Sequence, residues 1–300
     1  MSESPAKPPR RVLVIANPIS GGGRGKVRAA QLADALRARG LTAECHFTTA
    51  AGDAGARARA AADEDWQTLV AVGGDGTVNE VLNGMPDPSR PLAVLPVGTA
   101  NVLALELGLP KDPQAAAAAI AAGRCRSMTI GVADDRRFLL FCGVGVDGAV
   151  VHRLHQVRTG TLGKHKWLGP ILHTVRNWPR FSLRATFADG RVLDDLSSVL
   201  VTRVRNYGGV IQLPRAVDPD SDQLYALCFR IRSRTAWCWQ GARGLLRQMR
   251  PGRAFELIAT TGLRVDGTAP YQLDGDHAGT SPLTIRCEAV KANLVVPESS

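Results

Sequence analysis

The sequence lacks any long run of apolar residues, which is informative in a chain of 300 residues. No stretch approaches the ~20 apolar residues that a membrane-spanning helix needs. Residues 1–11 are polar and rich in proline, without the apolar segment of a secretory signal. The 6 cysteines are scattered and none is paired at zinc-ligand spacing, so we expect reduced thiols in a cytosolic protein.

Aromatic residues are also scarce, at 5% of the chain against 45% for apolar residues, a composition typical of soluble α/β proteins. The length predicts two domains. Up to about residue 130, strands predicted at 12–16, 43–48, 69–72 and 92–95 alternate with helices, which indicates parallel βαβ units. Later segments such as 138–142 and 183–187 are short and separated by turn pairs, which predicts an antiparallel β domain.

Acidic residues are missing from two long stretches, 148–188 and 223–255, in a chain of formal net charge +10. Each stretch also holds two tryptophans: Trp167 and Trp178 in the first, Trp237 and Trp239 in the second. Arginine and tryptophan together suit the headgroup region of an anionic membrane. The segment 237–249 predicts a basic amphipathic helix, with Leu245, Leu246 and Met249 as its apolar face. Alternatively, these tryptophans lie in the core of the β domain and the arginines only solvate its surface.

Three turns rich in glycine, threonine and asparagine follow predicted strands, at residues 17–23, 73–77 and 96–101. Consecutive glycines leave backbone N–H groups unobstructed, and a helix N-terminus adds positive charge, so such turns bind phosphate oxygens. One such turn could be an ordinary tight turn, but three at the carboxyl edge of a parallel sheet are hard to explain by turn chemistry alone and indicate a phosphate-binding site. None carries the Gly-Lys-Ser/Thr ending of a P-loop or a dinucleotide fingerprint.

These turns and two later motifs resemble the diacylglycerol kinase catalytic-domain family, which includes bacterial lipid kinases and the sphingosine and ceramide kinases. The residues responsible are Asn17-Pro18 with Ser20-Gly21, the blocks 73–84, 96–101 and 143–147, and Asp274-Gly275-Asp276. The resemblance implies a Rossmann-like α/β nucleotide domain over 11–129 and a C-terminal antiparallel β-sandwich for the lipid substrate over 130–297. The active site is expected in the cleft between them, and the C-terminal residues could pack back on the first domain.

The resemblance implies transfer of the γ-phosphoryl of ATP, with Mg²⁺, to the hydroxyl of a diacylglycerol-like or sphingoid-like membrane lipid. The enzyme would be cytoplasmic and peripherally bound to the anionic inner face of the membrane. The ATP-contacting residues implied are Asn17, Pro18, Ile19, Ser20, Gly21, Thr48, Gly74, Asp75, Gly76, Thr77, Val78, Asn79, Glu80 and Thr99. Thr49 is an alternative to Thr48.

The family's proton acceptor lies in an Asp-Gly-Glu motif, which here reads Asp274-Gly275-Asp276. By position, Asp276 is the expected base and Asp274 the alternative. The replacement of Glu by Asp shortens the side chain by one methylene and alters the reach of the base. Asp-Gly is also a common hairpin turn between two strands.

Some bacterial relatives carry a structural Mg²⁺ site after a Pro-x-Ala segment. Here residues 214–216 are followed by Asp218, Asp220 and Asp222, with Gln223 in the place of the family's glycine. Asp222 aligns best with the family's aspartate, and Asp220 is the second candidate. Three acids at alternate positions could hold a hard cation or form a solvated acidic turn.

Two other functions stay open: a soluble-substrate kinase similar to the NAD kinases, and an inactive relative that binds lipid or nucleic acid. Asn79-Glu80 directly follows Val78, as in the lipid kinases, whereas NAD kinases place such a pair well downstream. No nucleic-acid recognition motif or aromatic stacking platform is present, so we expect no nucleic-acid partner.

Overall fold

A computed structural model describes residues 10–157 and 168–298. Within these residues, the chain packs into two compact units. The first unit contains the residues up to Val97, Gly108–Arg126 and the residues from Ala292 onward. The second contains Gly98–Leu107 and Ser127–Lys291. The domain bounds 11–129 and 130–297 stay a prediction of the sequence.

The first unit is built on a six-stranded sheet. Its strands are β1 (Arg11–Ala16), β2 (Thr42–Phe47), β3 (Thr68–Gly73), β4 (Leu92–Pro96), β5 (Cys125–Met128) and β20 (Ala292–Val295). Their order is β2–β1–β3–β4–β20–β5, and the pairs β1–β2, β1–β3, β3–β4 and β4–β20 are parallel. Both β3 and β4 are buried along their whole length, as expected for strands covered on two faces. The predicted parallel α/β architecture is confirmed.

Helices connect these strands, and two glycines bring a pair of them close together. The helices are the short turn α1 (Ser20–Gly23), α2 (Gly25–Arg37), α3 (Asp53–Ala60) with the 3₁₀ turn Ala61–Asp63, α4 (Asp75–Gly84) and α6 (Pro113–Ala122). A Cβ atom at Gly84 of α4 would lie 2.1 Å from the carbonyl oxygen of Gly55 in α3. Only glycine permits this approach, which fixes α4 against α3.

The second unit is a sandwich of two six-stranded sheets with a two-stranded hairpin. The strands are β6 (Gly131–Ala133), β7 (Arg136–Phe138), β8 (Phe141–Gly145), β9 (Leu183–Phe187), β10 (Val192–Leu196), β11 (Ser198–Thr202), β12 (Asn206–Tyr207), β13 (Ile211–Gln212), β14 (Leu224–Phe229), β15 (Phe255–Thr260), β16 (Gly262–Asp266), β17 (Pro270–Leu273), β18 (Asp276–Thr280) and β19 (Leu283–Cys287). One sheet has the order β10–β9–β16–β19–β6–β7 and the other β15–β14–β11–β8–β17–β18. Inward side chains of both sheets, such as Leu183 and Val144, share one apolar core. The predicted antiparallel β domain is confirmed.

Four helices of this unit are α5 (Val102–Leu107), α7 (Val146–Val157), α8 (Leu168–Arg176) and α9 (Arg234–Leu245). The helix predicted over 237–249 begins earlier, because the Ser233 hydroxyl accepts a hydrogen bond from the Ala236 N–H over 3.2 Å. It also ends earlier, and Met249 is buried beyond it while Leu245 and Leu246 are exposed. Met249 is therefore wrong as a member of the predicted apolar face, whereas Leu245 and Leu246 stay exposed.

No helix among the described residues has the length and apolar character needed to cross a membrane. Trp167, one of the four tryptophans of the acid-free stretches, lies outside the described residues. The other three belong to the second unit.

Candidate active site

The loops after β1, β3 and β4 lie at the carboxyl edge of the parallel sheet. The Asn17 N–H donates to the Val72 carbonyl over 3.0 Å, which ties the loop after β1 to the end of β3. The Val97 N–H donates to the Gly73 carbonyl over 2.8 Å, which ties the end of β4 to the same strand. Three of the predicted turns thus begin side by side, at the edge where open α/β sheets bind ligands.

Glycine is required where these loops approach each other. A Cβ atom at Gly21, whose φ is 62°, would lie 2.3 Å from the carbonyl oxygen of Val97. A Cβ atom at Gly73 would lie 2.4 Å from the hydroxyl oxygen of Thr77. Both distances are shorter than real Cβ contacts. The loop after β1 therefore packs with its backbone at Gly21 against the backbone at Val97, and the backbone at Gly73 packs against the Thr77 side chain.

The N-terminus of α4 presents backbone N–H groups to its surroundings. Its N-cap residue is Gly74, and no side chain caps the helix. The N–H groups of Gly76 and Thr77 have no acceptor within the described part of the chain. Such groups, with the positive end of the helix dipole, favour an anion such as a phosphate.

Residues 17–21 form a turn at this edge, in which the Asn17 side-chain oxygen accepts from the Ile19 N–H over 3.2 Å. The loop after β2 separates the two candidate threonines. Both the N–H and the hydroxyl of Thr49 bond to the Asp53 carboxylate, over 2.8 and 3.1 Å. The Thr48 hydroxyl has no hydrogen-bond partner among the described residues, so Thr48 stays the candidate of the two.

Three predicted ATP contacts of α4 have buried side chains. Thr77, Val78 and Asn79 have exposed fractions of 8%, 3% and 9%. The Asn79 side-chain oxygen accepts from the Asn83 amide one turn later over 3.1 Å. These side chains help to hold α4 in the first unit. The groups of α4 that are available to a ligand are the backbone N–H groups at its N-terminus.

The third turn carries an asparagine that the predicted contacts did not include. Thr99 and Asn101 lie in the second unit. Asn101 adopts φ 48° and donates its amide to the Gly98 carbonyl over 2.7 Å. Its side-chain oxygen is buried without a partner within the described residues, so it is a candidate acceptor for a ligand.

The terminal acidic motif forms a hairpin turn between β17 and β18. Leu273 pairs with Asp276, and the two residues between them have positive φ, 50° for Asp274 and 95° for Gly275. This is the two-residue turn that Asp-Gly favours. Asp276 stands exposed at the start of β18.

The Asp274 carboxylate binds the backbone of the neighbouring segment 139–141. It accepts from three consecutive backbone N–H groups, over 3.0, 2.9 and 2.9 Å, those of Leu139, Leu140 and Phe141. The N–H groups of Leu139 and Leu140 are therefore unavailable to a β ladder, so β7 ends at Phe138 and β8 begins at Phe141. The single strand predicted over 138–142 is wrong for this reason.

A second buried carboxyl is connected to the same turn. Asp147, at the start of α7, accepts hydrogen bonds from the Tyr207 hydroxyl and, over 2.8 Å, from the Gln272 amide. The Gln272 side-chain oxygen in turn accepts from the Gly275 N–H over 2.8 Å. Burial raises the pKa of Asp147, and its two hydrogen bonds oppose that rise. Hydrogen bonds through the side chains of Asp147 and Gln272 thus connect α7 to the turn that precedes Asp276.

Sequence reasoning gave these residues no role. Asp147 belongs to the block 143–147, but no chemistry was assigned to it. A Cβ atom at Gly143 would lie 1.6 Å from the Asp147 carboxylate, so the glycine of that block is the one available signal. Tyr207 and Gln272 carry no pattern of their own.

The sequence matches the profile of the diacylglycerol kinase catalytic domain over residues 11–133. It is 34% identical over 222 residues to a protein of Bacillus subtilis named diacylglycerol kinase, a match that covers 71% of this chain and 70% of that one. A Staphylococcus carnosus protein of the same name is 32% identical over 56% of this chain and 53% of its own length. The chain belongs to the diacylglycerol kinase catalytic-domain family.

This family of lipid kinases makes the chain a phosphotransferase with an alcohol group as acceptor. Solved structures agree in fold. A crystal structure described as a diacylglycerol kinase of Bacillus anthracis has a TM-score of 0.70 at 20% identity and covers 96% of this chain and 97% of its own. A second structure from that organism, with the same coverage, has a TM-score of 0.76 at 22% identity. Both likenesses concern the fold.

The turn expected to hold a structural Mg²⁺ has its oxygens bonded to cationic side chains. Arg203, with 0% of its surface exposed, donates to the Pro219 and Ser221 carbonyls over 2.9 and 2.7 Å and also to that of Gln223. The Asp222 carboxylate accepts from the Lys291 ammonium over 2.5 Å, and this bond lowers the pKa of Asp222.

Carbonyl and carboxylate oxygens are the ligands that Mg²⁺ prefers. Here a guanidinium already bonds to three carbonyls of the turn and an ammonium to the Asp222 carboxylate, and no cluster of three or more His, Cys, Asp or Glu side chains in the described part of the chain is arranged for a metal ion. The contacts of Asp222 and of the 219–223 turn do not fit a structural Mg²⁺, and no step of the reaction is assigned to one.

Proposed function

We propose that this chain transfers the γ-phosphoryl of ATP to the hydroxyl of a membrane lipid of the diacylglycerol type. The observation that carries the proposal is the uncapped N-terminus of α4 beside the glycine turn at Gly21. Relatives named diacylglycerol kinase support the choice of acceptor.

ATP phosphates would bind the backbone N–H groups of Gly76 and Thr77 and the turn at residues 17–21. This mode needs no lysine at the loop, because the N–H groups and the helix dipole supply the positive charge. Thr48 offers a hydroxyl at the same edge, and Thr99 belongs to the turn after β4. Mg²⁺ that arrives with ATP would neutralise part of the phosphate charge.

Asp276 would accept the proton of the attacking hydroxyl. Asp276 is exposed at the start of β18 and stands where the family has its proton acceptor, whereas the Asp274 carboxylate is bonded to three backbone N–H groups. Asp274 is then a positioning residue, which fixes the turn that presents Asp276. The hydrogen bonds that join Asp147 to Tyr207 and Gln272 would hold the other side of this turn.

The lipid acceptor implies a peripheral association with an anionic membrane, at the inner face of the cytoplasmic membrane. The formal net charge of +10 and the acid-free stretches 148–188 and 223–255 support this part of the proposal.

The test is transfer of labelled phosphate from ATP with Mg²⁺ to a panel of lipid alcohols in mixed micelles, with NAD as a soluble acceptor. We expect a labelled phospholipid, and a loss of about 10²–10⁴-fold in turnover for Asp276→Asn. Asp135→Asn, an exposed aspartate in the turn between β6 and β7, is the matched control and should keep full turnover. Label on NAD alone, or unchanged turnover in Asp276→Asn, would contradict the proposal.

A further inference from the structure

Helix α9 has the opposite polarity to an ordinary surface helix. Surface helices usually bury their apolar stripe and expose their polar residues. In α9 the buried residues are Gln240 and Gly244, and a Cβ atom at Gly244 would lie 2.5 Å from the Ile211 side chain. Its exposed residues include large apolar ones instead: Trp239 has an exposed fraction of 64%, as does Leu246 directly after the helix.

Helix α8 extends this apolar surface. It buries Thr174 and leaves Leu172 58% exposed. Val175 of α8 lines an open groove of about 490 Å³, whose other wall is the outward stripe of α9 with Cys238 and Trp239. Val175, Cys238 and Trp239 of this groove are here grouped with the exposed leucines of the same two segments, Leu172, Leu245 and Leu246, as the docking face.

Arginines lie along the elements that form the docking face, without carboxylates to neutralise them. The exposed ones have no ion pair within the described residues: Arg176, Arg180, Arg234, Arg247, Arg250 and Arg253. No acidic residue occurs in the described segments 168–188 and 223–255. At the edge of this region, Arg230 and Arg232 are paired with Glu256 and Asp195.

We propose that the docking face binds an anionic lipid bilayer. Trp239, Leu245 and Leu246 would enter the headgroup region, and the arginines would bind lipid phosphates. The proposal deepens the peripheral membrane association given above and rests on it. Charge complementarity selects this occupant: a second copy would bring unpaired arginines against each other, and a nucleic acid would leave the aliphatic side chains in water.

The test is sedimentation of the full chain with vesicles of pure phosphatidylcholine or of phosphatidylcholine with phosphatidylglycerol. We expect binding to the anionic vesicles, reduced at least roughly tenfold by the pair Trp239→Ser and Leu246→Ser. The matched control is Val192→Ser with Val290→Ser, two valines of the same unit that are also exposed (47% and 42%).

A second pair of variants tests the charges. Arg247→Gln with Arg250→Gln should weaken binding roughly thirtyfold. Arg59→Gln with Arg286→Gln removes the same net charge outside the docking face and should change binding little. Equal losses in test and control pairs, or equal binding to neutral vesicles, would overturn the proposal. So would a dimer of the chain that the Trp239 and Leu246 pair dissociates.

Transfer to a short-chain diacylglycerol dissolved as monomers separates the two proposals. A chain that phosphorylates this monomer but does not bind anionic vesicles overturns the docking face alone. A chain that binds those vesicles through the docking face but phosphorylates no lipid keeps the docking face and overturns the lipid kinase.

Discussion

In the first unit, the groups proposed to bind ATP are mainly backbone N–H groups, exposed by glycines and by an uncapped helix. In the second unit, the groups around the proposed base are side chains bonded to one another. The Asp147 carboxyl joins Tyr207 and Gln272, and the Asp274 carboxylate joins three backbone N–H groups. The groups proposed for ATP in one unit and for proton transfer in the other are therefore built in different ways.

This difference determines how each part tolerates change. A backbone site depends on where a Cβ atom would lie, so most of its sensitive positions are glycines. A side-chain site depends on hydrogen-bonding capacity, so even a substitution of equal size can break it. Three substitutions below test this contrast, from the largest expected effect to the smallest.

The largest effect is expected for Asp274→Asn. Asn-Gly suits this turn as well as Asp-Gly does, so the backbone preference is kept. The amide has one oxygen in place of two and no charge, so it fails to accept all three N–H groups. We expect a loss of about 2–4 kcal/mol in the free energy of unfolding, measured by urea denaturation, and a loss of lipid kinase activity.

Asp276→Asn is the control for this prediction. It removes the same charge two residues away, from an exposed position, and should leave the free energy of unfolding within about 0.5 kcal/mol of the original. Equal stability for the two variants would show that the contacts of Asp274 are not what holds the turn.

The same contrast explains what the sequence predicts. The glycine turns could be located at the carboxyl ends of strands, because strand, turn and helix signals there are local. The parallel character of the first sheet and the antiparallel character of the second unit follow from similar local patterns, whereas the order of the strands does not. Thr48 and Thr49 could not be separated, because the bonds of Thr49 to Asp53 require the three-dimensional course of the loop.

The side-chain site could not be predicted, because its partners are distant in sequence. Tyr207 lies 60 residues and Gln272 lies 125 residues from Asp147. The Asp274 carboxylate accepts hydrogen bonds from residues that lie 133 to 135 positions earlier in the sequence. This distance also explains why the strand predicted over 138–142 is wrong. In α9, helical spacing alone did not show that the buried side is the one with Gln240 and Gly244.

The next largest effect is expected for Arg203→Met. The variant keeps a long apolar side chain but removes the guanidinium that donates to the carbonyls of residues 219, 221 and 223. We expect a loss of about 3 kcal/mol in the free energy of unfolding. Arg205→Met, two residues later and exposed, should change it by less than about 0.5 kcal/mol.

The same denaturation experiment tests the predicted metal ligands Asp220 and Asp222. We expect the unfolding of the unmodified chain to be unchanged by an excess of EDTA, because Arg203 and Lys291 already occupy the oxygens of the turn. A decrease in stability that Mg²⁺ reverses would show that the turn holds a metal ion after all.

The smallest effect is expected in the first unit, for Gly21→Ala compared with Gly22→Ala. Both glycines have positive φ, 62° and 73°, so alanine costs about 1–2 kcal/mol of backbone strain at either position. Only at Gly21 would the new Cβ atom meet a neighbour, the Val97 carbonyl, whereas at Gly22 it enters open space. The loop after β4 must then move away from the loop after β1.

Because strain is common to both variants, their difference isolates the close approach of the two loops. We expect Gly21→Ala to bind a non-hydrolysable ATP analogue about tenfold more weakly than Gly22→Ala in calorimetric titration, since a ~1.4 kcal/mol difference corresponds to that ratio. Vesicle binding through the docking face, which belongs to the other unit, should be the same in both. Equal ATP affinities would mean that nucleotide binding does not depend on this backbone contact. The first unit would then rely on side chains to bind its ligand, as the second unit does around the proposed base.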